Sequence, residues 1–270
     1  MFDPLLLAAH NPGPLTGPGN NTYLIAGRDG TSALVDAGVG HPEHLADLDD
    51  ALGRLGTRLE SVLVTHAHPD HASGAPVLAS RHGAICFKHP WPAEDSAYPV
   101  DWRAVADGDR LRAGDEWLTA MLTPGHAPDH LVLWHASSGT VFAGDLVIPG
   151  ASVIINADHG GDMLQYLASL DRVLALGASR LCPAHGAVVD EPARLLRAQL
   201  EHRRQREREV LAALRAGFDS VPAIADSIYD RLDPPLAAGA RHNVRAHLLK
   251  LEADGDAAQD AAGRWRAIGA

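Results

Sequence analysis

Six consecutive residues, His66-Ala-His68-Pro-Asp70-His71, carry three imidazoles and one carboxylate. They follow directly on Ser61-Val-Leu-Val-Thr65, an almost wholly apolar run of the kind buried on both faces of a sheet. Buried ionisable groups are costly unless paired or bound to a metal, so four of them at a strand end point to a cation. Three further segments repeat the pattern of an apolar strand running into a tight turn that bears one ligand-type residue. They are Leu122-Thr-Pro-Gly-His126, Val141-Phe-Ala-Gly-Asp145 and Leu181-Cys-Pro-Ala-His185-Gly186. Their glycines let the chain turn sharply. A single His or Asp in a turn is ordinarily a hydrogen-bonding turn residue. Seven together (His66, His68, Asp70, His71, His126, Asp145 and His185) call for another explanation.

Imidazole and carboxylate donors without a nearby thiolate ligand suit zinc, with manganese or iron as alternatives. Seven donors exceed what one tetrahedral ion can use, which predicts two zinc ions about 3.5–4 Å apart sharing a carboxylate. Such a pair lowers the pKa of a shared water toward about 7 and supplies a hydroxide nucleophile. The chemistry implied is hydrolysis.

The elements that must carry these residues are readable from periodicity. Asn21–Ala26 and Ser32–Asp36 form a predicted hairpin across the turn at 27–30, and His41–Leu55 has helical spacing ending at Gly56. A helix over Gly74–His82 and a strand over Ala84–Lys88 follow the histidine motif. Residues 89–108, rich in Pro and Trp, read as a surface loop. Strands are predicted at Asp109–Arg112, Glu116–Leu122, Leu131–Trp134, Val141–Ala143 and Arg180–Pro183, with an amphipathic helix over Asp162–Leu176. A long helix runs from Glu191 to about Ala216. Beyond Gly217, helices at Val221–Tyr229 and Asn243–Asp254 and a strand at Arg264–Ile268 give the order of a small winged-helix-like module, or else a helical cap on the main domain. The expected division is 1–190, the connecting helix 191–217, and 218–270.

The chain has 270 residues, 46% apolar and 21% charged, the balance of a globular protein with a sizeable core. The apolar runs Leu5–Ala9 and Val147–Ile155 fall short of the roughly 18 residues a membrane span needs. Met1 is followed by Phe2 and Asp3 rather than a basic segment, and two cysteines are too few for a disulfide framework, so a soluble, cytoplasmic protein without membrane association is expected. A net charge of −11 disfavours nucleic acid as partner. The exception is residues 191–217, where seven arginines face four glutamates: a solvated helix face, or an RNA contact.

Taken together, these motifs resemble the metallo-β-lactamase superfamily over most of residues 15–190. Asn11-Pro-Gly-Pro, Asn20-Asn-Thr-Tyr-Leu, Thr123-Pro-Gly-His126, Pro183-Ala-His-Gly186 and His242-Asn-Val-Arg-Ala-His-Leu-Leu-Lys-Leu251 are similar to the β-lactamase-like-protein-2 group within it. The resemblance implies an α/β fold, an αβ/βα sandwich of two mixed sheets with helices outside, followed by a small winged-helix-like extension. It implies that His66, His68 and His126 hold one ion, that Asp70, His71 and His185 hold the other, and that Asp145 bridges. Asp36 would orient ligands from behind, and Asp70 would also manage the proton of the attacking water. The turn Cys182-Pro-Ala-His185 departs from relatives, which more often carry an aromatic residue and a glycine there; Cys182, like Cys86, reads as a small buried residue. His130 could support a ligand, and His159, on the loop after Asp145, could contact substrate or donate a proton.

For substrate, the acidic charge and the apolar loop Leu146–Ile155 favour a small acyl compound (thioester, ester or lactone), with the loop lining an acyl pocket. The alternative is single-stranded RNA, cleaved as by an endoribonuclease. A non-enzymatic interaction protein and a β-lactamase are weaker readings. The long helix and tail make a homodimer reasonable.

Overall fold

The computed structural model describes residues 2–229 and 232–269. Residues 5–183 form two sheets packed face to face. The first comprises β1 (Leu5–Ala8), β2 (Asn21–Ala26), β3 (Thr31–Val35), β4 (Arg58–Leu63), β5 (Ile85–Lys88) and β6 (Trp102–Ala104), in that spatial order. Its first three strands pair antiparallel and the rest parallel. The second sheet has the order β11 (Arg180–Pro183), β10 (Thr140–Gly144), β9 (Leu131–His135), β8 (Glu116–Leu122), β7 (Arg110–Ala113), parallel only between β10 and β11.

Between the sheets lies one apolar layer. Tyr23, Ile25, Val35 and Leu63 from the first sheet meet Leu111, Leu118, Leu131, Leu133, Phe142 and Cys182 from the second. Helices α1 (Pro42–Leu55) and α3 (Ala75–His82) cover the outer face of the first sheet through Leu45, Leu48, Leu52 and Leu78. Each ends at a glycine in the left-handed region, Gly56 and Gly83. Helices α5 (Met163–Leu174) and α6 (Pro192–Arg215) cover the second sheet through Met163, Tyr166, Leu170, Leu196 and Leu200. The expected four-layer α/β sandwich is what forms.

At the C-terminal end, α7 (Val221–Ile228), α8 (Pro234–Asp254) and the hairpin β12 (Ala257–Gln259)–β13 (Trp265–Ala267) enclose a small core of Ile224, Val244, Leu248, Leu251 and Trp265 with Val210 and Leu214 of α6.

Three local expectations need correction. The segment 89–108 is not a single loop: it holds α4 (Pro92–Asp95) and the edge strand β6, which pairs with β5 from Cys86 to Lys88. Three residues are too few to display an alternation. Helix α8 begins at Pro234, well before Asn243, because a proline in the first helical turn lacks only an N–H that has no helical partner anyway. Strands β1 and β12 add to the expected set; both are short and lie at sheet edges. No helix among the described residues is long and apolar enough to cross a membrane.

Leu118 is fully buried between the sheets. Its replacement by Ala is expected to destabilise the fold by about 2–5 kcal/mol in urea denaturation; a loss under about 1 kcal/mol would mean the two sheets are not packed as described.

Candidate metal centre

All seven candidate ligands follow the carboxyl ends of strands. After β4 the chain runs through Val64 and Thr65 to His66, and the short helix α2 (Pro69–Ala72) turns Asp70 and His71 back toward it. His126 follows β8, Asp145 follows β10 and His185 follows β11. Two of the turns are closed to any side chain. At Gly125 a Cβ would come within 2.3 Å of the Tyr166 backbone nitrogen, and at Gly144 within 2.7 Å of His130 Nε2.

The side chains converge in two groups. His66 Nε2 and His126 Nε2 each lie 2.9 Å from His68 Nδ1, so three ring nitrogens face one point. His185 Nε2 lies 3.3 Å from Asp70 Oδ2, and His71 Nε2 lies 3.4 Å from the same oxygen. Asp145 stands between the groups. Its Oδ1 is 3.4 Å from His71 Nε2 and 3.3 Å from His185 Nε2, while its Oδ2 is 3.6 Å from His126 Nε2. One carboxylate thus offers one oxygen to each side. Asp145 Oδ1 and His71 Nε2 are buried without a hydrogen-bond partner. Orphaned buried donors and acceptors are expensive, and a divalent cation would satisfy them. The residues present therefore fit a metal.

The electrostatics differ between the two groups. Burial, reinforced by neighbouring imidazoles, pushes His66 well below the ordinary histidine range and His68 down to about 3. These rings are neutral, as ligands must be. In the second group burial opposes charging but is outweighed by carboxylates. Asp70, Asp36 and Asp145 raise His71, and Asp145 and Asp70 raise His185 to about 9. Asp70 and Asp145 are correspondingly lowered, because the same histidines overcome the effect of burial. Both histidines of the second group are thus biased toward the protonated form.

Several groups behind the ligands fix their orientation. Asp36 accepts the backbone N–H of Thr65 at 2.8 Å and its hydroxyl at 2.9 Å through Oδ1, and holds His71 Nδ1 at 2.9 Å through Oδ2. It adopts φ +61°, a left-handed conformation that Asp tolerates better than most residues. His126 Nδ1 donates to the Ile154 carbonyl at 2.8 Å, leaving its Nε2 lone pair free. His130 is buried and accepts the Asp145 backbone N–H at 3.0 Å through Nε2, so its proton sits on Nδ1, directed at the Thr123 hydroxyl 2.9 Å away. Burial lowers its pKa to about 3. Asn20 donates to the Asp70 carbonyl. The sequence shows Asn20 and Thr123 only as parts of motifs and gives no supporting role to Thr65 or to the Ile154 carbonyl.

His159, half exposed, flanks the opening: its ring stacks 6.4 Å from that of His68, lies 5.5 Å from Trp91, and its Nε2 is 3.2 Å from Glu94 Oε1. Much of the apolar loop expected to line an acyl pocket belongs to the core instead. Leu146, Val147, Val153 and Ile155 are buried in the core under α5 and α6, leaving Ile148, Pro149 and Ile154 partly exposed. The cause is the length of the loop, which must close the second sheet's outer layer. Cys182 lies in the layer between the sheets, its thiol raised to about 11 by burial.

Residues 15–185 match the metallo-beta-lactamase superfamily domain. The chain belongs to that superfamily. Residues 220–265 match the beta-lactamase associated winged helix domain, which decides between the module and the plain cap. A beta-lactamase-like protein 2 homolog from Caenorhabditis elegans is 30% identical over 92% of this chain and 84% of its own. An atrochrysone carboxyl ACP thioesterase from Aspergillus fumigatus is 29% identical over 76% of this chain and 62% of its own. Among solved structures, a metallo-beta-lactamase family protein from Thermus thermophilus superposes with a TM-score of 0.82, covering 98% of both chains at 22% identity. TTHA1623, solved in a di-iron-bound form, gives a TM-score of 0.57 at 28% identity over 71% of this chain and 96% of its own.

A cation entering the second group must displace protons from His71 and His185, which one approaching His66 and His68 need not do there. Between about pH 6 and 8, the apparent affinity at Asp70, His71 and His185 is therefore expected to rise about tenfold per pH unit for each proton displaced, with a shallower rise at the site built on His66 and His68. Metal titrations of the stripped protein across that range check this; equal slopes at both sites would contradict it.

Proposed function

We propose that this chain is a dinuclear metal-dependent hydrolase of small acyl substrates: thioesters, esters or lactones. The observation that carries the reading is the division of Asp145 between two converging donor sets, one of three histidines and one of Asp70, His71 and His185. His66, His68 and His126 would hold one ion; Asp70, His71 and His185 the other. Two such ions, zinc on the donor chemistry, with manganese or iron as alternatives, would supply a nucleophile from water at neutral pH and polarise the acyl carbonyl.

The chain's own groups divide the remaining tasks. Asp70 is the more exposed of the two carboxylates in the centre and is placed to take the proton of the attacking water. His159, at the opening and paired with Glu94, is placed to return a proton to the departing thiol or alcohol. Trp91 beside His159 and Pro149 against Gly186 give that opening an apolar lip suited to an acyl chain. The similarity to a protein named as a thioesterase supports the same substrate class.

RNA is less well served. On α6, Arg203 is buried, and Arg194, Arg206 and Arg208 pair with Glu191, Glu209 and Glu201. Much of the positive charge counted in the sequence is thus neutralised or enclosed.

The test is a panel of a generic thioester, a lactone, a β-lactam and a labelled single-stranded RNA, each with and without chelator. Chelator-sensitive acyl turnover with intact RNA is expected; RNA cleavage without acyl turnover would replace this reading with a nuclease. Asp70→Ala and His126→Ala are expected to lose bound metal and nearly all hydrolysis while remaining folded. His159→Ala should lower kcat by roughly 100-fold with metal content unchanged. Equal loss of metal and activity in that variant would remove His159 from the proton-transfer role.

A further inference from the structure

The segment from Leu146 to Asp162 joins the Asp145 turn to α5 and contains only one turn of 3-10 helix, Ala157–His159. Loops of that length need anchoring from outside. Here the anchors come from the C-terminal helices. Asn243 of α8 is buried and uses both ends of its amide: Oδ1 accepts the Ile155 N–H at 2.8 Å, and Nδ2 donates to the Val153 carbonyl at 3.3 Å. Arg203 of α6, also buried, donates to that same carbonyl and stacks over the Tyr166 ring, 5.2 Å from its centroid. Gln199 donates to the Ala151 carbonyl at 3.1 Å. Helix α8 approaches so closely that a Cβ at Gly239 would lie 2.9 Å from Ile154 Cδ1.

Asn243 therefore grips the backbone on either side of Ile154, as a neighbouring strand would. Between the two gripped positions is the Ile154 carbonyl that receives His126 Nδ1–H at 2.8 Å. A histidine ligand's tautomer and ring plane are set by the partner of its other nitrogen. We propose that Asn243, supported by Arg203, is a positioning residue for the metal centre, acting through Ile154 on His126. The winged-helix module is then a structural part of the first metal site. This rests on the two-ion reading above.

Simple attachment of the module would leave the metal untouched, whereas a positioning role is read at the metal itself. The full chain, stripped of metal, is titrated with Co(II), reading the ligand-field absorbance of each site, after circular dichroism melting has established that each variant is folded. Asn243→Ala is expected to weaken binding at His66, His68 and His126 by roughly 10- to 100-fold and to change that site's absorbance, leaving Asp70, His71 and His185 as in the wild type. Asn243→Asp keeps an acceptor for the Ile155 N–H but not the donor to Val153, and should fall between the two; it carries the test if the alanine variant does not fold. Arg245→Ala removes an exposed contact from the same helix to the same loop, the 2.9 Å pair with Asp158, and should leave both sites unchanged. Wild-type affinity and absorbance in the folded Asn243 variants would overturn the proposal. So would an equal loss at both sites, or the same loss in Arg245→Ala. A wild-type protein that binds no Co(II) would instead remove the metal reading beneath it.

Discussion

The structure turns on one electrostatic constraint. Asp145 and Asp70 lie among histidines at a largely enclosed edge of the sandwich, and their negative charge needs a positive counterpart close by. The carboxylates raise His71 and His185 for the same reason, and two divalent cations would meet that need with those rings as ligands. Everything around the centre keeps that geometry available. The turns at Gly125 and Gly144 admit no side chain, Asp36 ties His71 to Thr65, and His130 pins the backbone of Asp145.

The same constraint explains why the site is legible in the sequence. Residues that carry charge into a core must be of particular types, and a strand end fixes their spacing, so His66, His68, Asp70 and His71 stand out in one line of sequence. His126, Asp145 and His185 are recognisable because each follows an apolar strand and a tight turn. The pattern of strands and amphipathic helices likewise gives most elements within a few residues. What escapes is either too short to show a period, as with β6 and β12, or acts through backbone groups. No residue type announces that the carbonyl of Ile154 orients His126. The apolar loop after Asp145 reads as a pocket lining because a buried core segment and an acyl-binding wall have the same composition. Only packing separates Val153 and Ile155, which face the core, from Ile154, which does not.

The C-terminal module shows how distant sequence can enter a site without contributing a ligand. Asn243 and Arg203 sit on helices that the chain reaches only after both sheets are complete. They act on the long irregular segment between the Asp145 turn and α5. The arginines of α6, counted as a charge excess in the sequence, have in part quite different tasks: Arg203 is enclosed against Tyr166 and the loop, and others are paired along the helix.

The central claim is a single centre of two ions divided by Asp145. Anomalous diffraction from crystals of the metal-loaded protein, collected at the absorption edge of the bound metal, tests it most directly. The account predicts two peaks per chain, one among His66, His68 and His126 and one among Asp70, His71 and His185, with Asp145 between them. A single peak, or peaks away from these side chains, would contradict it.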